Sequence, residues 1–229
     1  MDAPLCLLTR PEAQSRAFAA ELPGIEVLIA PILRIAPVDF DPARAEAAVG
    51  FVFTSANAVP FAGAARGRPA LCVGAQTADA ARAAGFAVIE GPGDAEGLLP
   101  LLAGREDWLH LHGRHRAREL PVPGMAVYDQ IAEPLTAVAN DAIMAARPLI
   151  LPIFSPRSAV LLSEALADAL APVTAVAISD WADAAYTGPA MARFVAPQPD
   201  RAGMAQVILS LIGTERTGLR WVETERGGR

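Results

Sequence analysis

The chain contains no lysine, and all 19 of its basic residues are arginines. Aspartate and glutamate outnumber them at 25, so the formal net charge is −6. Nucleic-acid binding and attraction to an anionic membrane both require a broad basic field, so we expect neither partner. An anionic small molecule still suits this chain where arginines cluster locally, because the guanidinium group is a planar fork for carboxylates.

Cysteine is scarce, and long apolar runs are missing. Cys6 and Cys72 stand far apart, each within a short apolar run, which predicts buried reduced thiols and no disulfide framework. No charge-free apolar run is long enough to span a membrane. The first residues include Asp2 and too short an apolar stretch for a signal peptide. We therefore expect a cytoplasmic protein.

Three motifs of cofactor and nucleophile chemistry are also missing. No GxGxxG follows a strand-like run, and neither GxxxxGK[ST] nor GxSxG occurs, so nucleotide cofactors and a serine nucleophile elbow have no support. The glycine-rich segment 91–97 carries a proline and two acids, which suit a turn and a helix cap better than a phosphate cradle. We expect no cofactor.

What the chain has is an alternation of short apolar runs with alanine-rich, helix-like stretches. Most runs are continuously apolar, which is typical of parallel strands covered on both faces. The strand-like runs are 5–8, 27–30, 50–53, 70–73, 86–89, 108–111, 125–128, 149–154, 173–178 and 193–195. The helix-like stretches are 11–21, 56–65, 77–84, 95–103, 134–145, 158–170, 182–186 and 202–212. This rhythm predicts an α/β fold with doubly wound parallel sheets.

Two extended, proline-bounded stretches interrupt the rhythm. Residues 31–37 have a proline at each end, and residues 125–132 are followed by Pro134. We interpret both as connecting strands between two domains. The interpretation predicts an inserted α/β domain at 38–124 and a second α/β domain built from both chain ends, 1–34 plus 133–229.

Polar residues gather where apolar runs end and helix-like stretches begin. Ligands bind at these carboxyl ends of strands in open α/β sheets, and helix N-termini add unpaired N–H groups that suit carboxylates. Helix capping alone also explains each single turn, so the two interpretations stay open. The predicted substrate-binding residues at such turns are Arg10, Thr54, Ser55, Asn57, Gly74, Thr77, His112, Gly113, Arg114, Ser155, Arg157 and Ser158.

The three histidines, His110, His112 and His115, form an HxHxxH pattern that suggests zinc. No cysteine or acidic ligand stands near them, and the three arginines within 114–118 would repel a cation, so we predict no metal. The segment is instead a local basic patch for an anionic ligand or a solvated helix face. Tyr128, which ends a strand-like run, lines a cleft or packs at an interface.

Taken in order and spacing, these motifs make the chain similar to the uroporphyrinogen-III synthase family over nearly its whole length. No single motif is diagnostic. The matching segments are 8–11, 30–33, 53–59, 73–78, 91–99, 112–120, 127–128, 154–156 and 195–199.

The resemblance implies two α/β domains joined by a two-stranded connection, and a reaction that needs no cofactor. We expect a monomer. It implies a linear tetrapyrrole substrate, hydroxymethylbilane, which carries eight carboxylates. The substrate loses its terminal hydroxyl as water, inverts its last ring through a spirocyclic intermediate, and closes. The family's tyrosine matches Tyr128, the predicted catalytic residue, and its threonine in the VGxxTA-like turn matches Thr77.

One turn departs from the family pattern. Residues 178–182 read ISDWA where the family usually has a glycine and a threonine. Ser179 can replace one hydroxyl and is included among the binding residues, but Ala182 receives no role. Two other functions stay open from sequence alone: a two-domain sensor that binds an anionic small molecule without turnover, and a scaffold protein.

Overall fold

The computed structural model describes residues 3–116 and 118–216. It divides into two compact units. The first unit comprises Met1–Leu33 with Ala132–Arg229, and the second comprises Arg34–Ile131. Each unit contains one β-sheet with helices packed on it.

Short strands and helices alternate along most of the chain. The strands are β1 (Leu5–Leu8), β2 (Glu26–Ile29), β3 (Leu33–Pro37), β4 (Phe51–Phe53), β5 (Pro69–Cys72), β6 (Ala87–Glu90), β7 (Leu109–Gly113), β8 (Gly124–Ala132), β9 (Leu149–Ile153), β10 (Val173–Ala177) and β11 (Ala192–Val195). The α-helices are α1 (Glu12–Ala19), α2 (Pro42–Ala47), α3 (Ala75–Ala83), α4 (Ala137–Met144), α5 (Pro156–Ala165), α6 (Asp180–Ala185) and α7 (Arg201–Arg216). Ala56–Ala62 and Leu99–Leu102 are 3₁₀-helices.

The sheet of the first unit has the strand order β11-β10-β9-β1-β2, and all neighbouring strands are parallel. The chain winds outward in one direction from β1 to β2 and in the other from β9 to β11. The reversal falls between β9 and β1. Ligands in open α/β sheets bind outside the carboxyl ends of strands at such a switch point.

The sheet of the second unit has the order β3-β8-β7-β4-β5-β6. The pairs from β8 through β6 are parallel. Here the winding reverses between β4 and β7. The predicted α/β class with two doubly wound parallel sheets is confirmed.

Alternate side chains of the central strands enter opposite cores, which explains why these strands are continuously apolar. On β1, Leu7 belongs to one core of the first unit, and Cys6 and Leu8 belong to the other. On β4, Phe51 and Phe53 pack on one face and Val52 on the other. Both faces of each sheet are therefore covered, as the sequence predicts.

Both cysteines are buried and free, as predicted. Burial raises the pKa of the Cys6 thiol to about 12 and that of Cys72 to about 11. The thiols therefore stay protonated near neutral pH, and a thiol is a much weaker nucleophile than a thiolate. In the described part of the chain, no helix is long and apolar enough to cross a membrane.

Three helices differ from the sequence-based expectation. The stretches 56–65 and 95–103 contain short 3₁₀-helices, and each of these includes a proline, which lacks the N–H of a regular α-helical ladder. Helix α2 was not predicted. It forms because Asp41 accepts hydrogen bonds from two backbone N–H groups of the first turn, and Pro42 takes the first helical position.

The Arg68 side chain connects the end of α2, the first 3₁₀-helix and the ring of Phe51. Its guanidinium group stacks on the ring of Phe51, with 4.7 Å from Cζ to the ring centroid. The group donates hydrogen bonds to carbonyl oxygens at the end of α2 and around the end of the first 3₁₀-helix. The acceptors are the carbonyl oxygens of Ala45, Glu46, Ala48, Ala62, Ala64 and Ala65. This arginine is thus structural.

Candidate active site

The predicted binding residues of the second unit stand at the carboxyl ends of adjacent strands. Thr54 follows β4, Gly74 follows β5, and His112, Gly113 and Arg114 stand at the end of β7. Because β7, β4 and β5 are neighbours in the sheet, these turns share one edge. We call it the second edge. It includes the switch point between β4 and β7.

Thr54 is held by a histidine of the neighbouring strand. Its Oγ1 lies 2.9 Å from Nε2 of His110. His110 is 1% exposed, and burial, assisted by the nearby charges of His112 and Arg116, lowers the pKa of its imidazole to about 3. The ring is therefore neutral near pH 7, while the threonine itself is only half-buried.

His112 has a defined tautomer. Its Nδ1 lies 2.8 Å from the carbonyl oxygen of Gly113, and its Nε2 lies 3.2 Å from Nη1 of Arg116. A guanidinium group can only donate, so Nε2 is the acceptor and Nδ1 carries the proton. Burial is the largest cause that lowers the pKa of His112. Gly124 leaves room for this pair, since a Cβ there would lie 3.0 Å from Nε2 of His112.

Tyr128 is seated on Gly113 by an irregularity in strand pairing. His112 pairs with Ala126 and Gly113 with Tyr128, so Val127 is the extra residue of a β-bulge. Bulges of this kind re-aim side chains. A Cβ on Gly113 would lie 2.6 Å from Cε2 of Tyr128, so the ring covers the glycine. The ring is 3% exposed and stacks on Phe61 at 6.4 Å between centroids.

The position of Tyr128 is compatible with both predicted roles, a side chain that lines a cleft and a side chain that packs at an interface. The ring belongs to the core of the second unit, so it has a packing role whatever its hydroxyl does. It also lies beside the last residue of β7, and its phenol oxygen would be 3.0 Å from a Cβ on Gly113. The hydroxyl is therefore at the second edge.

Arg114 is an exposed cation at this edge. Its side chain is 62% exposed, and Nη1 lies 3.7 Å from Oδ2 of Asp129. His115 approaches the other oxygen of the same carboxylate, at 3.4 Å. The Asp129 side chain is half-buried, but a long ion pair with an exposed guanidinium group contributes little to stability, about 0–1 kcal/mol. The guanidinium group can therefore exchange Asp129 for a ligand carboxylate at low cost.

The turn at the start of α3 is packed closely by glycines. A Cβ on Gly74 would lie 3.1 Å from Cα of Gly93, and Gly93 donates its N–H to the carbonyl of Val73. Asp94 accepts a hydrogen bond from the N–H of Gly97, as expected of a turn and cap. Thr77 is buried in the first turn of α3.

Ser55 and Asn57 stand at the start of the first 3₁₀-helix. The Ser55 hydroxyl oxygen accepts a hydrogen bond from the N–H of Asn57 at 3.2 Å. Ser55 thus acts as a helix cap, in agreement with one of the two interpretations of these turns.

In the first unit, the residues that follow the carboxyl ends of β1, β9 and β10 form an edge of the sheet that we call the first edge. Its switch point lies between β1 and β9, and Arg10 and Phe154 are in contact there. Arg10 follows β1, Phe154 follows β9, and Cζ of the arginine lies 4.3 Å from the ring centroid. Such a cation–π contact is stronger when partly desolvated. Burial, then the charge of Arg201, lower the pKa of Arg10 to about 10, so the group remains charged near neutral pH.

Three predicted residues stand at the start of α5. The Ser155 hydroxyl oxygen accepts from the N–H of Ser158 at 3.1 Å, and the Ser158 hydroxyl donates to the carbonyl of Ser155 at 2.9 Å. Both serines are thus bound within their own turn. Arg157, in the same first turn, is half-buried.

The atypical turn before α6 is acidic. Ser179 accepts a hydrogen bond from the N–H of Ala182 at 3.3 Å, and Ala182 is buried. Asp180 and Asp183 stand in the first turn of the helix, and Trp181 is 80% exposed. Asp183 is paired with Arg193 at 2.9 Å, so Asp180 is the acid that opposes the binding of a carboxylate at this helix start.

The HxHxxH pattern does not gather its rings around one point. Nε2 of His110 is bonded to Thr54, Nε2 of His112 to Arg116, and His115 approaches Asp129. Among the residues that the structure describes, no group of three His, Cys, Asp or Glu side chains is placed to hold a metal ion.

The family model of uroporphyrinogen-III synthase HemD matches residues 16–206 of the chain. The chain belongs to the uroporphyrinogen-III synthase family. It is accordingly a lyase of tetrapyrrole biosynthesis that cyclises hydroxymethylbilane to uroporphyrinogen III. The family resemblance read from the sequence motifs is thereby confirmed.

Two solved structures share the fold of this family member. Uroporphyrinogen-III synthetase from Helicobacter pylori has a TM-score of 0.57 and 17% identity, over 92% of this chain and 100% of that one. A mutant uroporphyrinogen III synthase from the extremely thermophilic bacterium Thermus thermophilus has a TM-score of 0.50 and 17% identity, over 93% and 100%. No curated protein sequence matches the chain significantly.

The sequence does not indicate the site residues whose side chains contact a neighbouring strand. His110 was noted only within HxHxxH, and Asp129 and Gly124 were not noted at all. A signal for His110 exists, because all five residues of β7 are buried and a polar residue in a fully buried strand needs a partner. No local signal marks Asp129 or Gly124.

Proposed function

We propose that the second edge performs the chemistry of this synthase, and that Tyr128 assists departure of the hydroxyl group of hydroxymethylbilane. The observation that carries the proposal is the seating of Tyr128 on Gly113 by a β-bulge, one strand from the switch point. A phenol there is held in one orientation by Phe61 and the core. Fixed orientation is what a hydrogen-bond donor to a leaving group requires.

The reaction does not require a covalent bond between the protein and the substrate. In the proposed sequence, Tyr128 donates a hydrogen bond or its proton to the terminal hydroxyl, which leaves as water. The electron-rich pyrrole supplies the electrons for this step and becomes an electrophilic azafulvene. The azafulvene carbon bonds to the substituted α-carbon of the last ring, which gives the spirocyclic intermediate. The bond between that α-carbon and its original methylene bridge then breaks, which leaves a second azafulvene on the neighbouring ring. The freed methylene carbon bonds to the other α-carbon of the last ring, and loss of a proton from that carbon restores the pyrrole and completes the inverted macrocycle. A general acid typically contributes about 10²-fold or more to such a step.

Carboxylate binding is the second part of the proposal. Arg114 on the second edge is 62% exposed and forms a weak pair with Asp129 at 3.7 Å. On the first edge, Arg10 is charged and partly desolvated. Each of these side chains, with the N–H groups of helix starts on its own edge, suits a carboxylate of the substrate.

Arg157 supports a binding role for the start of α5. A cation in the first turn of a helix is opposed by the helix dipole, at a cost of about 0.3–1 kcal/mol. Ser155 caps the same turn by accepting a hydrogen bond from the N–H of Ser158. An anionic substrate group bound at this turn would offset the unfavourable interaction of the arginine with the helix dipole.

The remaining polar residues have a positioning role in this proposal. Thr54 and Thr77 present or support hydroxyl groups at the second edge, and Ser55, Asn57 and Ser179 shape helix starts. Their task is to hold the last ring in the inverting orientation while water is excluded. Without this control, hydroxymethylbilane closes on its own to the type I isomer.

The test is an assay of the purified chain with hydroxymethylbilane in which the type III and type I isomers are separated. We expect type III in the presence of the chain and type I in its absence. A protein that only senses an anionic small molecule would bind the compound and leave the type I product unchanged, which would contradict the proposal.

Two further predictions accompany this function. We expect the chain to be a monomer and to act in the cytoplasm. Gel filtration with light scattering measures the first, and fractionation of the source cells measures the second.

A further inference from the structure

We propose that His110 is a positioning residue that fixes the direction of the Thr54 hydroxyl by donating its Nε2 proton to Oγ1 of Thr54. The threonine proton is then free to point outward, toward a substrate carboxylate. This inference deepens the proposed function and rests on its assignment of Thr54 to substrate binding.

The geometry allows two arrangements of the shared proton. Oγ1 and Nε2 are 2.9 Å apart, and either atom can donate, according to which ring nitrogen of His110 carries the proton. If Thr54 donates, its hydroxyl proton is directed into the protein and its lone pairs remain outward. Those lone pairs would repel an anionic carboxylate. If His110 donates, the threonine becomes a hydrogen-bond donor to the ligand.

The surroundings keep His110 neutral, so the ring has one donor nitrogen and one acceptor nitrogen. It is almost fully buried on β7, beside the ring of His112 at 4.9 Å between centroids. The positive charge of Arg116 is also near, and it disfavours a second proton on the imidazole. The direction of the bond to Thr54 is therefore set by the tautomer and does not change with protonation near neutral pH.

The pairing of β4 with β7 places the contact of Thr54 with His110 at the edge of the sheet. β4 and β7 are parallel neighbours on either side of the switch point, and Val52 pairs with His110. Thr54 is two residues further along, just beyond the end of β4. The histidine is inside the sheet, and the half-buried threonine stands between it and the edge. A buried, rigid partner is what a directed hydroxyl needs.

The first test reads the tautomer directly by ¹⁵N NMR of the histidine rings in the whole chain. Three histidines are present, so single His→Gln variants assign them. His112 is an internal reference, because its bonds to Gly113 and Arg116 require a proton on Nδ1. We expect the opposite tautomer, with the proton on Nε2, for His110. A proton on Nδ1 of His110 would overturn the inference, and this reading is independent of enzymatic activity.

The second test separates positioning from simple packing by kinetics. His110→Phe keeps an aromatic ring and removes the donor, and we expect it to raise KM about tenfold with kcat within about twofold. His110→Gln restores an N–H donor and should return KM to within about twofold of the wild-type value. Thr54→Val removes the hydroxyl at constant shape and should match His110→Phe.

The double variant Thr54→Val with His110→Phe should have a KM no higher than that of either single variant, because both changes remove one shared interaction. Additive effects on KM would overturn the inference. So would a His110→Phe variant that lowers the melting temperature and leaves KM unchanged. If the wild-type chain itself makes no type III product, the proposed function fails, whereas the NMR result still decides the tautomer.

Discussion

The two carboxyl edges differ in where the partners of their polar groups come from. On the first edge, the hydroxyls of Ser155, Ser158 and Ser179 bond within their own helix starts. On the second edge, Thr54 is bonded to a residue of the next strand, and Tyr128 rests on Gly113 of its neighbour. The serine hydroxyls of the first edge therefore make local contacts, whereas Thr54 and Tyr128 of the second edge make contacts across strands. Each edge also has one contact of the other kind, since Arg10 contacts Phe154 across β1 and β9 and Ser55 caps its own helix.

The same contrast separates the two tyrosines of the chain, one in each unit. Both are buried, and each covers a glycine. The Tyr186 hydroxyl donates to the carbonyl of Pro189 at 2.9 Å, and burial raises the pKa of its phenol to about 12. The Tyr186 hydroxyl thus stabilises the loop that follows it, whereas Tyr128 lies at the edge to which we assign the chemistry. Matched variants at the two sites can test this comparison.

The largest effect is expected from Gly113→Ala. The new methyl group would meet the Tyr128 ring at 2.6 Å, so the ring must move. A displacement of about 1 Å at a reacting group can reduce the rate about 10²-fold, and we expect kcat to fall by that order. Steady-state rates and the isomer ratio measure it.

Gly188→Ala is the matched control. Its methyl group would lie 2.8 Å from the Tyr186 hydroxyl oxygen, so it strains the first unit in the same way. We expect a lower melting temperature and unchanged kcat. Equal losses of kcat in the two variants would mean that general destabilisation explains both.

An intermediate effect is expected from Arg114→Ala. The exposed guanidinium group is proposed to bind a substrate carboxylate in ground state and transition state alike, so KM should rise about fivefold to tenfold while kcat changes less. Stability should stay within about 0.5 kcal/mol, since the charges of Arg114 and Asp129 are 3.7 Å apart and the guanidinium group is 62% exposed. An unchanged KM would remove Arg114 from the site.

Arg16→Ala is the control for the loss of an exposed arginine. Arg16, in the last turn of α1, forms an exposed pair with Glu12. The same loss of one positive charge should leave KM unaltered, which separates a local contact from the effect of net charge.

The smallest effect is expected from Asp180→Asn on the first edge. The carboxylate stands in the first turn of α6 and opposes an incoming anion. Its removal should lower KM by about twofold at low ionic strength, and added salt should erase the difference because the site is exposed. A higher KM would show that Asp180 contributes to binding.

The sequence predicts what depends on local pattern. β1 was placed at residues 5–8, where the structure has it, and the other strands follow their apolar runs. Helix caps such as Ser155 and Ser179 are also local, because the hydroxyl and its N–H partner are three residues apart. The serine caps of the first edge can therefore be predicted from the sequence, whereas the contact of Arg10 with Phe154 cannot.

The contacts of the second edge are harder to predict from the sequence, because they depend on strand order and register. The contact of Thr54 with His110 joins residues 56 positions apart, and the bulge at Val127 appears only when β8 pairs with β7. Neither leaves a local mark in the sequence. Tyr128 was identified through the family resemblance, but its burial against Phe61 and Gly113 was not foreseen.

The most direct test of the account compares Tyr128→Phe with Tyr186→Phe at saturating hydroxymethylbilane, with rate and isomer ratio measured together. Each change keeps a ring and removes one hydroxyl. We expect Tyr128→Phe to lower kcat about 10²-fold and to let type I product appear, with the melting temperature nearly intact. Tyr186→Phe should lower the melting temperature, because the Pro189 carbonyl loses its donor, and keep kcat. Type III product from Tyr128→Phe at the wild-type rate and purity would contradict the account and leave Tyr128 a packing residue.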